Sequence, residues 1–373
     1  MSSIYLHIPF CKKACHYCDF YFSTSLKYKD TLLEAMHNEI NLRTDQITQP
    51  LKAIYFGGGT PSILQPIEIE SFLNIIYKNF KIDNTVEITL EANPDDLTAE
   101  KVKALSQLGI NRLSIGIQSF FEQDLALMNR AHNVEQAYKA LELSRKWFEN
   151  ITIDLIYGMP QMTSDKWLQN IQTALDFDIP HISSYALTVE ERTALDTLVK
   201  RQEIIMPEDD SLSEQFFMLK NTLENKGYTH YEFSNFGKEG YWSVNNLNYW
   251  LGNNYLGIGP SAHSLYQNIR SWNHSNNILY IKSLSNNQLA LESETLSLSE
   301  QYNEYIMTRL RTIFGVNSEE VREKFGKKFQ LYFDSITQDL IKKGFITYSD
   351  KNLCITTEYK FLTDGISSSY FYV

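Results

Sequence analysis

The sequence predicts an α/β fold in which six strand–helix units are followed by a small C-terminal α+β domain. Two observations carry this prediction. Short β-branched runs alternate six times with segments whose apolar residues recur at spacings of three and four, and this alternation stops near residue 228. Successive strand–helix units favour a parallel sheet covered by helices. Periodicity does not decide whether the sheet closes into a barrel or stays open, but both forms place ligands at the carboxyl ends of the strands.

The six strand–helix units occupy residues 1–228, which we predict to be one barrel-like domain. The predicted strands cover residues 3–8, 52–57, 86–92, 112–118, 151–158 and 181–187. The predicted helices cover residues 27–43, 66–79, 98–108, 134–148, 164–177 and 211–226. Thr98 and Gly109 illustrate the boundary signals, because threonine favours the start of a helix and glycine favours its end.

The rest of the chain has a different pattern. Residues 229–290 are rich in Asn, Ser, Gly and Tyr, which predicts an irregular connecting region with short strands. Residues 291–373 predict three helices and then two short strands around an Asp-Lys-Asn turn, an order that indicates a winged-helix-like domain. The predicted helices cover residues 298–313, 317–325 and 328–343. This domain has ten Lys and Arg against twelve Asp and Glu, so a lid or a protein contact is favoured over DNA binding.

Composition and charge exclude several classes of protein. The chain has 373 residues, of which 43% are hydrophobic and 21% charged, as in soluble globular proteins. Its net charge of −11 argues against nucleic-acid partners and anionic membrane surfaces. No run approaches the roughly 18 apolar residues of a membrane helix, and the first residues do not resemble a signal peptide. Because three of the four cysteines are clustered, we expect a reducing cytoplasm rather than a disulfide framework.

The clustered cysteines are Cys11, Cys15 and Cys18, in the loop after the first predicted strand. Thiolates suit soft or borderline metals, and close spacing lets one loop surround one site. Structural zinc normally has four protein ligands and would need a helper such as His16 or His7. A 4Fe–4S cluster also normally has four cysteine ligands, so three would leave one iron open to a substrate or cofactor. The spacing alone leaves both metals possible.

Glycines and polar residues follow the next predicted strands. The segment GGGTPS, residues 57–62, would let the backbone approach a ligand closely. Glu91, Gln118 and Asp154 lie on the third, fourth and fifth predicted strands. Each alone would be an ordinary polar residue, but the carboxyl ends of parallel strands meet at one edge of a sheet. We therefore expect these groups to surround the cysteine loop.

The motifs CKKACHYC and GGGTP resemble the radical S-adenosylmethionine (SAM) superfamily. The segments YLHIPFCKKACHYCDF, FGGGTPS, EANPD, GIQSF and DLIYGMP extend the likeness to its coproporphyrinogen-oxidase-like branch over nearly the whole chain. The resemblance implies a partial (β/α)6 barrel and a 4Fe–4S cluster held by Cys11, Cys15 and Cys18, with its open iron chelated by the SAM amino and carboxylate groups. The residues that the resemblance places around SAM are Tyr5, Tyr17, Gly58, Gly59, Thr60, Glu91, Gln118, Arg130 and Asp154.

Within this branch, the sequence resembles the haem chaperones more than the oxygen-independent coproporphyrinogen III oxidases. The oxidases have a further cysteine two positions after the third and a longer N-terminal segment. Here Asp19 and Phe20 follow Cys18, and ten residues precede Cys11. A chaperone would bind haem and transfer it to respiratory haem proteins, with a reductant such as flavodoxin or ferredoxin and transient membrane association through its partners. A radical SAM enzyme acting on a tetrapyrrole and a zinc-stabilised binding protein are the alternatives, and whether SAM is cleaved stays open.

The expected haem site departs from the family pattern. The chaperones commonly have a His-Asn-x-x-Tyr-Trp motif, and the matching stretch here is NNLNYW, with Asn245 in place of the histidine. An amide is a poor iron ligand beside imidazole. His263 is the nearest spare imidazole, although it could equally be a packed structural histidine. The expected haem contacts are Asn246, Tyr249, Trp250 and His263.

Overall fold

A mixed sheet of twelve strands organises most of the chain. The computed structural model describes residues 2–373. The first six strands lie side by side in chain order and are all parallel, as the sequence predicts. They are β1 (Ser2–Ile8), β2 (Leu51–Gly58), β3 (Ile82–Ala92), β4 (Arg112–Gln118), β5 (Asn150–Tyr157) and β6 (His181–Ala186).

Eight helices accompany these strands. They are α1 (Lys29–Leu42), α2 (Pro66–Asn79), α3 (Ala99–Gln107), α4 (Glu122–Leu127), α5 (Val134–Ser144), α6 (Ser164–Asp176), α7 (Ala194–Lys200) and α8 (Asp209–Glu224). In α6 the side chain of Thr163 accepts a hydrogen bond from the Lys166 backbone N–H, and Trp167, Ile171 and Ala174 are buried along one face. The sequence pattern did not predict α4 and α7, because helices of six and seven residues show too few turns to establish a period.

The region after α8 extends the same sheet at both ends. It contains β7 (Thr229–Glu232), β8 (Asn235–Gly237), α9 (Val244–Trp250), β9 (Asn254–Ile258), β10 (His263–Tyr266), β11 (Ile269–Asn273), α10 (Asn277–Ser285) and β12 (Leu291–Thr295). Strand β9 is parallel to β1, whereas β8 is antiparallel to β6. Because different strands flank β1 and β6, the six parallel strands do not close on each other.

The C-terminal part has a hydrophobic core of its own. It contains α11 (Leu298–Leu310), α12 (Ser318–Phe325), α13 (Lys327–Lys342), β13 (Ile346–Ser349), β14 (Asn352–Ile355) and α14 (Thr363–Ser368). Tyr302, Phe333 and Leu353 belong to this core, which is separate from the core beneath the large sheet. The three helices and the hairpin match the predicted order. Among residues 2–373, no helix has both the length and the apolar character needed to cross a membrane.

Candidate functional site

The loop that follows β1 is fixed by backbone hydrogen bonds to distant parts of the chain. The Cys11 N–H donates to the Ser23 carbonyl at 3.0 Å, which closes the loop at its base. His16 is held from two sides, because its N–H donates to the Met128 carbonyl at 3.0 Å and its carbonyl accepts from the Leu195 N–H at 2.8 Å. The ends of α4 and α7 therefore position this cysteine loop.

Cys11, Cys15 and Cys18 are free thiols that line one cavity. Burial, together with the neighbouring cysteines, raises the pKa of the Cys18 thiol to about 11. Among residues 2–373, no three His, Cys, Asp or Glu side chains converge closely enough to hold a single metal ion. In an iron–sulfur cluster each thiolate binds a different iron, so cluster ligands do not have to converge on one point. The three thiols therefore fit an iron–sulfur cluster better than a single metal ion.

Arg130 connects the cysteine loop to the strands. One of its terminal nitrogens, Nη1, lies 3.4 Å from the Cys15 sulfur and 3.3 Å from the Tyr17 hydroxyl. The other, Nη2, donates to Asn93 Oδ1 at 2.7 Å and to the Gly116 carbonyl at 2.9 Å. A planar guanidinium can reach four acceptors at once. Arg130 thus stabilises thiolate charge at Cys15 and fixes the loop against β3 and β4.

Glycines at the end of β2 bring backbone close to this loop. The Gly59 N–H donates to the Ile8 carbonyl at 2.9 Å, and the Thr60 N–H donates to the Phe10 carbonyl at 2.7 Å. A Cβ atom at Gly59 would lie 2.8 Å from the Phe10 carbonyl oxygen, too close for any other residue without a backbone shift. The Thr60 hydroxyl also lies 3.5 Å from the Cys11 sulfur. Gly59 and Thr60 therefore form a wall of the cavity beside the cysteines, which we call the glycine wall.

Two partly buried carboxyl groups face the same cavity. Glu91 accepts hydrogen bonds from the Tyr55 hydroxyl at 2.8 Å and from the Gly58 N–H at 3.2 Å. Burial raises its pKa to about 7, and repulsion from Asp154 adds to the shift. Burial likewise raises the pKa of Asp154 to about 6. A cationic or hydroxyl-bearing ligand would stabilise the charged form of these carboxyl groups, because it would replace the contacts with water that they lose on burial.

The cavity has a volume of about 410 Å³ and brings most of the predicted site residues together. Gln118 contributes from the end of β4, where its backbone has a φ of 66°. This left-handed conformation is uncommon for a residue with a side chain. The predicted residues that line the cavity are Cys11, Cys15, Tyr17, Cys18, Gly58, Gly59, Thr60, Glu91, Gln118, Arg130 and Asp154.

A smaller cavity of about 240 Å³ shares Glu91, Ser114, Asp154 and Tyr185 with the first. Its other lining residues include Tyr5 on β1 and three residues of α9, namely Asn245, Asn246 and Tyr249. Asn245 is only 3% exposed, and its Oδ1 has no hydrogen-bond partner among the described residues. The position at which the chaperone motif has histidine is therefore inside the molecule, beneath the cysteine cavity.

Two of the predicted haem contacts lie away from both cavities. The Arg311 guanidinium of the C-terminal part lies 5.6 Å from the centre of the Trp250 ring, so this tryptophan packs against the C-terminal part. His263 is exposed at the start of β10 and stacks on Trp272, with 6.1 Å between the ring centres. Neither side chain lines either cavity.

Sequence reasoning missed several residues of the larger cavity. Asn93 fixes Arg130, and its presence in the EANPD motif was the available signal. Tyr55 holds Glu91, and strand alternation could have placed it on the same face as Gly57. Lys13, Phe20 and Phe22 line the mouth of the cavity. Nothing in their local pattern distinguishes them from ordinary loop residues.

Comparisons with known proteins identify the family. The model of the Radical SAM superfamily matches residues 5–181, and that of the HemN C-terminal domain matches residues 296–358. The chain is 34% identical to the heme chaperone HemW of Bacillus subtilis, over 99% of both chains. The chain belongs to the HemW family of radical SAM proteins. The HemW of Lactococcus lactis is also 34% identical, over 94% of this chain and 92% of that protein.

Coproporphyrinogen III oxidase (HemN) from Escherichia coli, a radical SAM enzyme, has the same fold. The structural match has a TM-score of 0.84 and covers 99% of this chain and 90% of that one, at 22% identity. Membership of the radical SAM superfamily implies an iron–sulfur cluster and SAM for this HemW-family chain. The three free thiols and the adjoining glycine wall fit such a pair of groups.

The raised pKa values of Glu91 and Asp154 predict a pH dependence of stability. A carboxyl group whose pKa is raised by folding stabilises the folded state below its ordinary pKa, and that contribution is lost as the pH rises through the raised value. Since the pKa values of Glu91 and Asp154 rise to about 7 and about 6, the free energy of unfolding of the cluster-free protein should fall between about pH 4 and pH 7. Urea unfolding at several pH values measures this, and Glu91→Gln should reduce the slope by up to about 1.4 kcal/mol per pH unit. An unchanged slope in that variant would show that Glu91 titrates normally.

Proposed function

We propose that this chain is a haem chaperone that carries a 4Fe–4S cluster and SAM and transfers haem to respiratory haem proteins. The observation that carries the proposal is the 34% identity to a heme chaperone over 99% of both chains. The site supports it, because the three thiols, Arg130 and the glycine wall meet at one cavity. A reductant such as flavodoxin or ferredoxin would reduce the cluster, and membrane association would come through the haem acceptors.

Each group of the larger cavity has a role in this proposal. Cys11, Cys15 and Cys18 would hold the cluster, which supplies an open iron for the amino and carboxylate groups of SAM and a route for one electron. Arg130 fixes Cys15 and stabilises its thiolate charge. Glu91 and Asp154 are suited to a SAM amino group or ribose hydroxyls, because both carboxyl groups are partly buried, line the cavity and accept hydrogen bonds.

The protein would work in the cytoplasm. All four cysteines are free of disulfides, which fits a reducing compartment. In an oxidising compartment the exposed cluster and the thiols would be oxidised.

Anaerobic reconstitution separates the chaperone from the related enzyme. The protein is loaded with iron and sulfide and titrated with haem, and a second sample is incubated with coproporphyrinogen III, SAM and a reductant. We expect stoichiometric haem binding and no decarboxylated porphyrinogen. Formation of protoporphyrinogen would instead establish an oxidase, and colourless protein without iron would support a zinc-stabilised binding protein.

A further inference from the structure

Two aromatic side chains stand at the mouth of the larger cavity. Phe20, two residues after Cys18, has 68% of its surface exposed although it lines this cavity. Phe22 is half-buried and lines the same cavity. A single exposed apolar residue needs no explanation, but aromatic rings grouped at the mouth of a ligand cavity indicate a binding surface. A flat apolar ligand would cover area that water now contacts.

An unpaired cation lies at the same mouth. Lys13 is exposed, lines the cavity and makes no ion pair with any described residue. Its neighbour Lys12 differs, because it pairs with Asp95 at 2.7 Å and also contacts Asp96. Asp19 and Glu190 are the acidic groups at the mouth. Among residues 2–373, Lys13 is the one exposed cation that lines the cavity. A carboxylate of a ligand could reach it without displacing an existing partner.

The sizes of the cavities decide where a macrocycle would fit. Pockets that enclose a drug-sized ligand have volumes of roughly 300–1,000 Å³. The larger cavity, at about 410 Å³, would also have to hold the cluster and SAM, and the smaller one, at about 240 Å³, falls below this range. Neither of these two cavities suits a haem-sized ring as well, which favours a position for the ring at the mouth of the larger one.

We infer that Phe20 and Lys13 form the docking surface for the haem that the chaperone carries, with the ring stacked on Phe20 and a propionate paired with Lys13. This inference rests on the proposed function. The haem would then lie directly over the cysteine cavity, on the side of the molecule that would hold the cluster. Asn246 and Tyr249 then belong to the interior cavity and do not contact the macrocycle.

Binding of two porphyrins to variants tests the inference. Reconstituted protein is titrated anaerobically with haem and with fluorescent zinc protoporphyrin IX, after its cluster content has been measured. Phe20→Ala should weaken both affinities about tenfold, because the ring loses its stacking partner. Phe20→Trp should restore them. Lys13→Gln should weaken binding about threefold, and this loss should disappear with the dimethyl ester, which has no free carboxylates.

The matched control is Tyr348→Ala, since Tyr348 is 57% exposed on the hairpin of the C-terminal part. This variant should bind both porphyrins like the unchanged protein. Equal binding by Phe20→Ala would overturn the inference and leave the proposed function intact. Loss of the cluster in Phe20→Ala would also overturn it, because the ring would then serve to hold the cysteine loop. If the unchanged protein binds no haem, both the inference and the proposed function fail.

Discussion

Replacing Cys15 by alanine should abolish the iron–sulfur cluster and leave the chain folded. With two thiolates, the loop would hold too few ligands for a cluster that ordinarily has four. Cys15 also has the Arg130 guanidinium 3.4 Å from its sulfur, so the variant removes this contact between the loop and Arg130 as well. For the proposed 4Fe–4S cluster, we expect the iron content to fall from about four per chain to nearly none, together with the brown absorbance.

Folding should survive this change because the core lies elsewhere. Cys15 is half-buried in a loop, whereas the apolar core beneath the sheet is built from strands and helices such as β4 and α6. The far-ultraviolet circular dichroism and the melting temperature of the cluster-free protein should match those of the cluster-free parent. Insoluble protein would show that the cysteine loop is needed for folding itself.

The chain provides a matched control in its fourth cysteine. Cys354 lies on β14 in the C-terminal part, where its sulfur contacts the Ile313 carbonyl at 3.6 Å. Cys354→Ala should keep the full iron content, since this thiol lines neither cavity. Loss of iron in both variants would mean that the assay reports general damage and not ligand removal.

Features that depend on neighbouring residues in the sequence were predictable. The six parallel strands follow from local periodicity, and the cysteine loop and GGGTP segment are short continuous motifs. Arg130 was expected at the site only through the resemblance. Its four acceptors come from three separate segments of the chain, and no local pattern reveals such convergence.

Most features that the sequence did not predict involve polar residues that the fold buries. Residues 229–290 have the composition of loops, yet their short strands continue the large sheet and α9 lines the smaller cavity. Asn248 is 1% exposed, and its amide nitrogen donates to the Ser3 hydroxyl at 2.8 Å, so a partner that is distant in the sequence satisfies this buried donor. Amino-acid composition shows that such residues are polar, but it does not show which hydrogen-bond partners the fold brings to them.

The second large effect concerns Glu39, whose replacement by alanine should destabilise the fold by about 3–5 kcal/mol. Glu39 on α1 and Arg43, which follows the last residue of α1, are both 1% exposed, with 2.7 Å between Glu39 Oε1 and Arg43 Nη1. Glu39 also accepts from Asn273 Nδ2 at 2.8 Å and from the Gly259 N–H at 2.9 Å. The Tyr280 hydroxyl donates to Glu39 as well. Removing the carboxylate leaves a buried guanidinium without its charged partner and takes an acceptor away from three donors.

The network explains why the cost should be large. Arg43 donates to the Gly257 carbonyl and to the Ser264 hydroxyl, each at 2.9 Å. The pair thus joins α1, which follows the cysteine loop, to β9 and β10 from the later half of the chain. Loss of the pair would loosen the strand next to β1, and with it the start of the loop that carries the thiols.

Urea unfolding of cluster-free protein measures the effect as a lower midpoint with an unchanged slope. The control is Lys200→Ala, which breaks an exposed pair of the same i, i+4 spacing at 2.8 Å and should cost less than about 1 kcal/mol. Replacing Glu39 and Arg43 together by methionine should recover part of the loss, because no charge is then left buried without a partner. If Glu39→Ala unfolds within about 1 kcal/mol of the parent, the pair does not hold the two halves of the sheet together.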